Sequence, residues 1–82
     1  MNPVLERIYQ IGIVPVIAFN SVDEAVPLCK ALVAGGLPAA EVTFRTACAE
    51  ECIKKIHDEV PEMLLGAGTV LTNDQADRAM AA

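Results

Sequence analysis

The chain has 82 residues, 54% of them hydrophobic, which allows one small domain at most. Its formal net charge is −5, with six Lys and Arg against eleven Asp and Glu, so the sequence offers no basic patch for nucleic acid. Its longest apolar run is shorter than the roughly 20 residues that cross a membrane, and its first ten residues do not resemble a secretory signal, so we expect a cytoplasmic protein without a membrane partner.

The first predicted elements are a short helix and a strand. Apolar and charged residues are interspersed over residues 4–11 as in an amphipathic helix, and Gly12 ends it. Residues 13–19 are continuously apolar and rich in β-branched side chains, the pattern of a strand that is covered on both faces. We therefore expect the first strand to be fully buried.

A second helix is predicted from a capping box, SVDE, in which Ser21 is the N-cap and Glu24 follows three residues later. The helix runs to about Ala34, and the glycines at positions 35 and 36 end it. Pro27 falls inside this helix, beyond its first turn, where a proline is expected to kink or destabilise it.

The second half of the chain continues the alternation of strand and helix. Residues 39–44 are a second predicted strand, and Thr46 is the expected cap of a helix that continues to about Glu59. The apolar stripe of that helix is formed by Ala49, Ile53, Ile56 and Val60. Residues 63–67 are a third predicted strand, and a second capping box, TNDQ at residues 72–75, opens a last helix.

The spacing of these elements predicts the fold. The strands begin near residues 13, 39 and 63, so a unit of strand plus helix recurs about every 25 residues. Strands that alternate with helices form parallel sheets, and eight units of this length give about 200 residues, near the lower limit for a (β/α)8 TIM barrel. We predict an α/β fold with the first three strands of such a barrel. Residues 1–82 would be a single partial domain, truncated within the third of the helices that follow the strands.

The second strand carries a polar face. Because alternate residues of a strand point to the same side, Glu41, Thr43 and Arg45 share one face. Val42 and Phe44 share the other face. Since active sites of parallel barrels lie at the carboxyl ends of the strands, we predict that the polar face points into the barrel, towards its catalytic end, and that Val42 and Phe44 pack on the helices.

These residues suit an anionic ligand and a proton transfer. A carboxylate such as Glu41 in a barrel interior can take and give a proton, and the guanidinium of Arg45 matches a carboxylate or phosphate bidentately. Gly66 and Gly68 leave the third strand bare for a ligand, and Thr69 adds a hydroxyl and a backbone N–H. Two purely structural roles stay open: Glu41 and Arg45 could form an ion pair that supports the fold, and the glycines could serve close helix packing.

The remaining reactive side chains are expected to be structural. Three cysteines without a secretory signal predict reduced thiols, and the pair Cys48 and Cys52 lacks further ligands, so no metal is expected. The lysines lie on predicted helices and are expected to be solvated: Lys30, Lys54 and Lys55.

Three segments of the sequence resemble one enzyme family. GIVPVIAF, AVPLCKALVAGGLPAAEVTFRT and VPEMLLGAGTVL are similar, in order and spacing, to the 2-keto-3-deoxy-6-phosphogluconate (KDPG) and 4-hydroxy-2-oxoglutarate (KHG) aldolases. The resemblance covers essentially the whole chain, includes Pro27, and corresponds to the amino-terminal portion of the family. Phe44 stands where the family motif commonly has leucine, on the predicted helix-facing side of the strand.

The resemblance implies a class I aldolase, a lyase that cleaves a 2-keto-4-hydroxy acid to pyruvate and an aldehyde. It implies a (β/α)8 barrel that assembles as a homotrimer and uses no metal or organic cofactor. In this family a lysine forms a Schiff base with the keto carbon of the small-molecule substrate. By motif, Glu41 would be the catalytic general acid and base, and Arg45 and Thr69 would bind the carboxylate of the pyruvoyl group.

The resemblance also implies that two parts of the family's active site lie outside these 82 residues. The Schiff-base lysine and the phosphate-binding segment of the family lie on later strands, so we expect this chain alone to be an inactive amino-terminal fragment and the intact protein to be the enzyme. Two alternatives stay open. One is a non-catalytic barrel piece that acts by self-association or complementation, and the other is a small doubly wound α/β binding module.

Overall fold

The computed structural model describes residues 2–82 and shows helices that alternate with the strands of one sheet. In chain order the elements are α1 (Pro3–Ile11), β1 (Val16–Ile17), a 3-10 turn (Val22–Glu24), α2 (Ala25–Ala34), β2 (Ala39–Thr43), α3 (Ala49–Glu59), β3 (Leu64–Gly68) and α4 (Asn73–Ala81). None of the helices in this described part is long and apolar enough to span a membrane.

The three strands are parallel and lie in the order β1-β2-β3. Val16 of β1 and Gly66 of β3 both lie opposite Glu41 of β2. Helices α2 and α3 contact each other and β2, and both contribute to one buried cluster. Because strand order follows chain order and both helices pack on one face, the sheet is wound in a single direction, as in a barrel, without the reversal of a doubly wound sheet.

The core lies between β2 and these two helices. Val42 of β2 belongs to one buried cluster with Cys29 of α2 and Cys52 of α3, and Phe44 packs against it. The predicted stripe of α3 is buried, which confirms that prediction: Ala49, Ile53, Ile56 and Val60. Val42 and Phe44 therefore face the helices, as the alternation of residues along the second strand predicts.

β1 is shorter and more exposed than the sequence predicts. Only Val16 and Ile17 pair with β2, and Ile13 and Val16 are 66% and 56% exposed. The prediction of a fully buried strand over residues 13–19 is wrong for most of that segment, although Phe19 at its end is buried. Within residues 2–82, β1 has a partner on one side only, so its free edge and its Val16 face stay uncovered.

The start of α2 differs from the predicted capping box. Ser21 Oγ accepts the N–H of Asp23 at 3.2 Å, and a 3-10 turn replaces the expected first turn of the α-helix. α2 begins only at Ala25, so Pro27 lies in its first turn. The predicted kink or destabilisation of α2 at Pro27 is therefore wrong. N–H groups in a first helical turn have no partner within the helix, so a proline there removes no hydrogen bond.

The two glycines end α2 as predicted. Leu37 N–H donates to the carbonyl of Leu32 at 2.8 Å, and Gly36 N–H donates to the carbonyl of Val33 at 3.0 Å. These are the two hydrogen bonds of a Schellman motif. Gly36 has a φ of +88°, which would cost a residue with a Cβ about 1–2 kcal/mol, so this position requires glycine.

The predicted caps of the last two helices have different outcomes. α3 begins at Ala49 after Cys48, whose side chain makes no capping hydrogen bond. Thr46 is therefore not its cap and lies in the turn that joins β2 to α3. Thr72 caps α4 as predicted, because its Oγ1 accepts the N–H of Gln75 at 3.1 Å.

Candidate active site

The polar face of β2 lies on the side of the sheet opposite to α2 and α3. Glu41 and Thr43 alternate with Val42, which is buried in the helix-facing core. Glu41 is half-buried and Thr43 is fully buried. Glu41 and Thr43 therefore lie on the face that does not pack on the helices, which is the face predicted to line a barrel interior.

The hydroxyl of Thr43 links the segments that follow β2 and β3. It donates to Oγ1 of Thr69 at 2.8 Å, and it accepts the backbone N–H of Arg45 at 3.2 Å and its Nε–H at 3.1 Å. The N–H of Phe44 donates to the carbonyl of Gly68 at 2.8 Å and joins the same two segments. Arg45 and Thr69, both predicted as binding residues, are thus brought together by a third residue that had no predicted role.

Arg45 follows β2 in an exposed turn. Its side chain folds back onto Thr43 through Nε, and its terminal nitrogens make no hydrogen bond within residues 2–82. No ion pair joins it to Glu41 in this part of the chain, which contradicts a structural ion pair between these two residues. The free end of the guanidinium can therefore bind an anion from a ligand.

Thr69 comes directly after β3 and has a left-handed backbone, with a φ of 55°. A β-branched residue is rare in this conformation, and such strain, on the order of 1–3 kcal/mol, is concentrated at ligand and active sites. The hydrogen bond from Thr43 contributes to holding it. The strained backbone and this bond together keep the Thr69 hydroxyl at the edge where Arg45 lies.

The two glycines of β3 have different surroundings on the polar face. A Cβ at Gly66 would meet no atom within 4 Å, whereas a Cβ at Gly68 would fall on the carboxylate of Glu41. The Glu41 side chain therefore reaches over Gly68, towards the carboxyl end of the sheet. This corrects the expectation that both glycines admit a ligand, because the space at Gly68 is taken by Glu41 and only that at Gly66 is open.

A cavity of about 290 Å³ opens beside Arg45, between the β2–α3 turn and α4. Glu50, Gln75 and Arg78 share its lining with Arg45. Arg78 Nε lies 3.2 Å from Asp74 Oδ2 and 3.6 Å from Glu50 Oε1, a buried oxygen that accepts no hydrogen bond in the described residues. Because Arg78 is neutralised by carboxylates, Arg45 is the arginine of this lining that stays available to an anion.

The cysteines are free thiols in or beside the core. Burial raises the pKa of Cys29, and burial together with the neighbouring Cys48 thiol raises the pKa of Cys52 to about 12. Thiols with a raised pKa are poor nucleophiles, so Cys29 and Cys52 are structural. Within residues 2–82, no three His, Cys, Asp or Glu side chains are placed to hold a metal ion.

Comparison with known proteins identifies the family. The family model described as "Aldolase: KDPG and KHG aldolase" matches residues 4–82. The chain belongs to this family. The 2-dehydro-3-deoxy-phosphogluconate aldolase of Treponema pallidum is 46% identical over 82 residues, which cover 100% of this chain and 39% of the relative. The KHG/KDPG aldolase of Escherichia coli K12 is 54% identical over 63 residues, which cover 77% of this chain and 30% of the relative.

Solved structures of KDPG aldolases share the fold. The enzyme of Zymomonas mobilis ZM4, solved with 3-phosphoglycerate, has a TM-score of 0.86 at 42% identity over 99% of this chain and 38% of its own. The enzyme of Legionella pneumophila, with pyruvate captured at low pH as a covalent carbinolamine intermediate, has a TM-score of 0.78 at 40% identity over 83% of this chain and 33% of its own.

These comparisons confirm the predicted family and fold class. The KDPG aldolase structures are TIM barrels, so the three parallel strands are strands of a (β/α)8 barrel, and the doubly wound module is not favoured. The chain spans about 30–39% of the length of the curated relatives that it matches.

Proposed function

We propose that this chain provides the proton-transfer and carboxylate-binding part of a class I aldolase active site. The reaction is the cleavage of KDPG or KHG to pyruvate and an aldehyde. A lysine of the complete enzyme forms a Schiff base with the keto carbon, and the imine takes up the electron pair of the broken C–C bond. Glu41 moves the protons that imine formation and cleavage require, and Arg45 and Thr69 bind the carboxylate of the pyruvoyl group.

The observation that carries this proposal is the hydrogen-bonded group of Thr43, Arg45 and Thr69 beside a carboxylate side chain. Arg45 offers free terminal N–H groups and Thr69 offers a hydroxyl at the carboxyl edge of the sheet, where parallel barrels bind their substrates. Glu41 reaches over Gly68 towards the same edge. A proton-transferring group next to donors for an anion suits a 2-keto acid, and the pyruvate bound in the Legionella relative supports this ligand class.

The Schiff-base lysine of this proposal lies outside the 82 residues. Lys30, Lys54 and Lys55 are exposed and lie on α2 and α3, which cover the face of the sheet opposite to Glu41. A lysine that forms an imine has to face the keto carbon from a desolvated position. The 82 residues alone are therefore proposed to be inactive, and the complete protein is proposed to be the lyase.

Two further parts of the proposal concern the complete protein, namely a cytoplasmic location and assembly as a homotrimer. Three free thiols suit a reducing compartment, which supports the location. Exposed apolar side chains at Tyr9, Leu71 and Met80 provide surface that an assembly would cover. A small 2-keto acid is the proposed substrate, with no cofactor.

The test replaces Glu41 by glutamine in a fusion of these 82 residues to the remaining part of the Treponema pallidum aldolase, which completes the barrel. Glutamine keeps the size of the side chain but cannot transfer a proton, so kcat for KDPG cleavage is expected to fall by about 10²–10⁴-fold. The free energy of unfolding, measured with urea, should change by about 1 kcal/mol or less, because Glu41 is only half-buried.

Glu59→Gln is the matched control, because Glu59 is exposed at the end of α3, away from the polar face. This control should leave kcat unchanged. An active fusion that keeps its turnover within a few-fold after Glu41→Gln would remove the acid/base role. A folded fusion without aldolase activity would remove the proposed function as a whole.

A further inference from the structure

The hydroxyl of Thr43 is fully buried, and all of its hydrogen-bonding capacity is used. Within residues 2–82 it has three partners, namely the backbone N–H of Arg45, the Nε–H of Arg45 and Oγ1 of Thr69. A hydroxyl has one proton and two lone pairs. Both Arg45 groups can only donate, so they occupy the two lone pairs, and the single proton of Thr43 goes to Thr69.

The same count fixes the direction of the Thr69 hydroxyl. Because Thr69 Oγ1 accepts the proton of Thr43, its own proton points elsewhere, and it has no other hydrogen-bond partner in the described part of the chain. The reverse arrangement would set three donors against two lone pairs. It would also leave the buried proton of Thr43 without an acceptor, which is unfavourable.

We propose that Thr43 is a positioning residue, which makes Thr69 a hydrogen-bond donor to the substrate carboxylate and holds Arg45 beside it. This inference rests on the proposed function, since it needs a carboxylate at this edge. Thr43 itself does not touch the substrate. Its buried oxygen orders both binding residues before the ligand arrives, so binding is not opposed by the entropy of ordering them.

The test compares Thr43→Val and Thr43→Ser in the fusion described above. Valine keeps the branched shape and removes the hydroxyl, so no donor fixes the direction of the Thr69 proton and the two Arg45 N–H groups lose their acceptor. KM for KDPG is expected to rise by about tenfold, the effect of roughly one hydrogen bond. Because Glu41 is untouched, kcat should change by less than about threefold, the pattern of lost binding that is equal in ground and transition states.

Serine keeps the hydroxyl and is expected to hold KM within about threefold of the unsubstituted fusion, since the same hydrogen bonds can form. A residue that only filled space would show no such rescue. A serine variant that behaves like the valine variant would therefore overturn the inference, and so would an active valine variant with an unchanged KM.

A second measurement needs no enzymatic activity. In NMR spectra of the unsubstituted 82-residue chain, the Nε–H of Arg45 should exchange with water at least about tenfold more slowly than that of Arg7. Arg7 is the internal control, because its only side-chain hydrogen bond in the described residues is made by a terminal nitrogen, to the carbonyl of Glu62 at 3.5 Å.

The exchange measurement separates the two proposals. Equal exchange at Arg45 and Arg7 in the unsubstituted chain would overturn the positioning role of Thr43, whatever the fusion does. A folded but inactive fusion with Thr43 intact would overturn the proposed function, while slow exchange at Arg45 would still support its anchoring by Thr43.

Discussion

Gly66 and Gly68 lie two residues apart on one face of β3, but only Gly68 has a functional group above it. Gly68→Ala would place a Cβ on the Glu41 carboxylate, and the atoms that must give way belong to the end of a flexible side chain. The cost in free energy of unfolding should therefore stay below about 1 kcal/mol. Displacing a reacting group by about 1 Å can cost up to about 10²-fold, so we expect kcat of the fusion to fall strongly.

Gly66→Ala is the matched control for that substitution. It adds the same methyl group on the same strand and face, where nothing lies within 4 Å. Its kcat should stay within about twofold of the unsubstituted fusion, in the range of a neutral surface change. An equal loss in both variants would mean that a methyl group on this face blocks the substrate directly, and the contact between Gly68 and Glu41 would then not account for the effect.

The residues of the candidate site could be proposed from the sequence, but the contacts among them could not. Covalent geometry alone places Glu41 and Thr43 on one face, because the side-chain period of a strand is two. Arg45 lies in the turn after β2, and its side chain reaches Thr43 through Nε. The bond from Thr43 to Thr69 and the position of Glu41 over Gly68 depend on the register between β2 and β3, which pairs Thr43 with Gly68. Register depends on how two segments that are far apart in the sequence pair with each other, so neither segment alone determines it.

At the scale of elements, the confirmed signals are those that act within a few residues. Gly36 ends α2 because glycine can adopt the positive φ that this position requires. Thr72 caps α4 because its hydroxyl oxygen accepts an N–H three residues ahead. The capping box at Ser21 is a local signal that was nevertheless wrong, since a 3-10 turn takes the place of the first helical turn. The wrong predictions for β1 and for the cap of α3 concern non-local properties. The burial of β1 depends on strands that would have to cover it, and the long turn that includes Thr46 depends on how α3 docks on the sheet.

Cys52 makes the packing of α3 sensitive to alkaline pH. Burial, followed by Cys48 and the carboxylates of Glu51 and Glu24, raises the pKa of Cys52 to about 12, whereas a thiol in an unfolded chain has a pKa of about 8.5. Between these two values the unfolded chain has lost the proton that the folded chain keeps. The contribution of the protonated Cys52 thiol to the free energy of unfolding is therefore fully present below about pH 8.5. It is lost as pH rises, by about 1.4 kcal/mol per pH unit.

Replacing Cys52 by alanine should remove this part of the pH dependence. We expect the fall in free energy of unfolding between pH 8 and pH 10, measured with urea, to be smaller by roughly 2 kcal/mol in Cys52→Ala than in the unsubstituted chain. Ile56→Val is the control, because it removes a buried methyl group but no titrating group. It should lower the free energy of unfolding by the same amount at pH 8 and at pH 10. An unchanged pH dependence in Cys52→Ala would show that its thiol is not desolvated.

At the scale of the whole molecule, the sheet has one covered face and one open face. α2 and α3 cover the Val42 face, whereas Val16 on the other face is 56% exposed and no residue of α1 is buried. The relatives are barrels, and this chain matches 39% of the Treponema pallidum aldolase. The open face therefore corresponds to a barrel interior.

Borohydride reduction tests this division between the two parts of the barrel. It converts an imine between a lysine and pyruvate into a stable amine, which mass spectrometry detects as an adduct. The 82-residue chain with pyruvate should give no adduct, because Lys30, Lys54 and Lys55 are exposed on helices behind the sheet and cannot face a keto carbon held near Glu41. The fusion should give an adduct that peptide mapping places outside these 82 residues, and the same reaction without pyruvate is the control. A specific adduct on any of the three lysines would place a nucleophile on α2 or α3, and the proposed division of the active site would then be wrong.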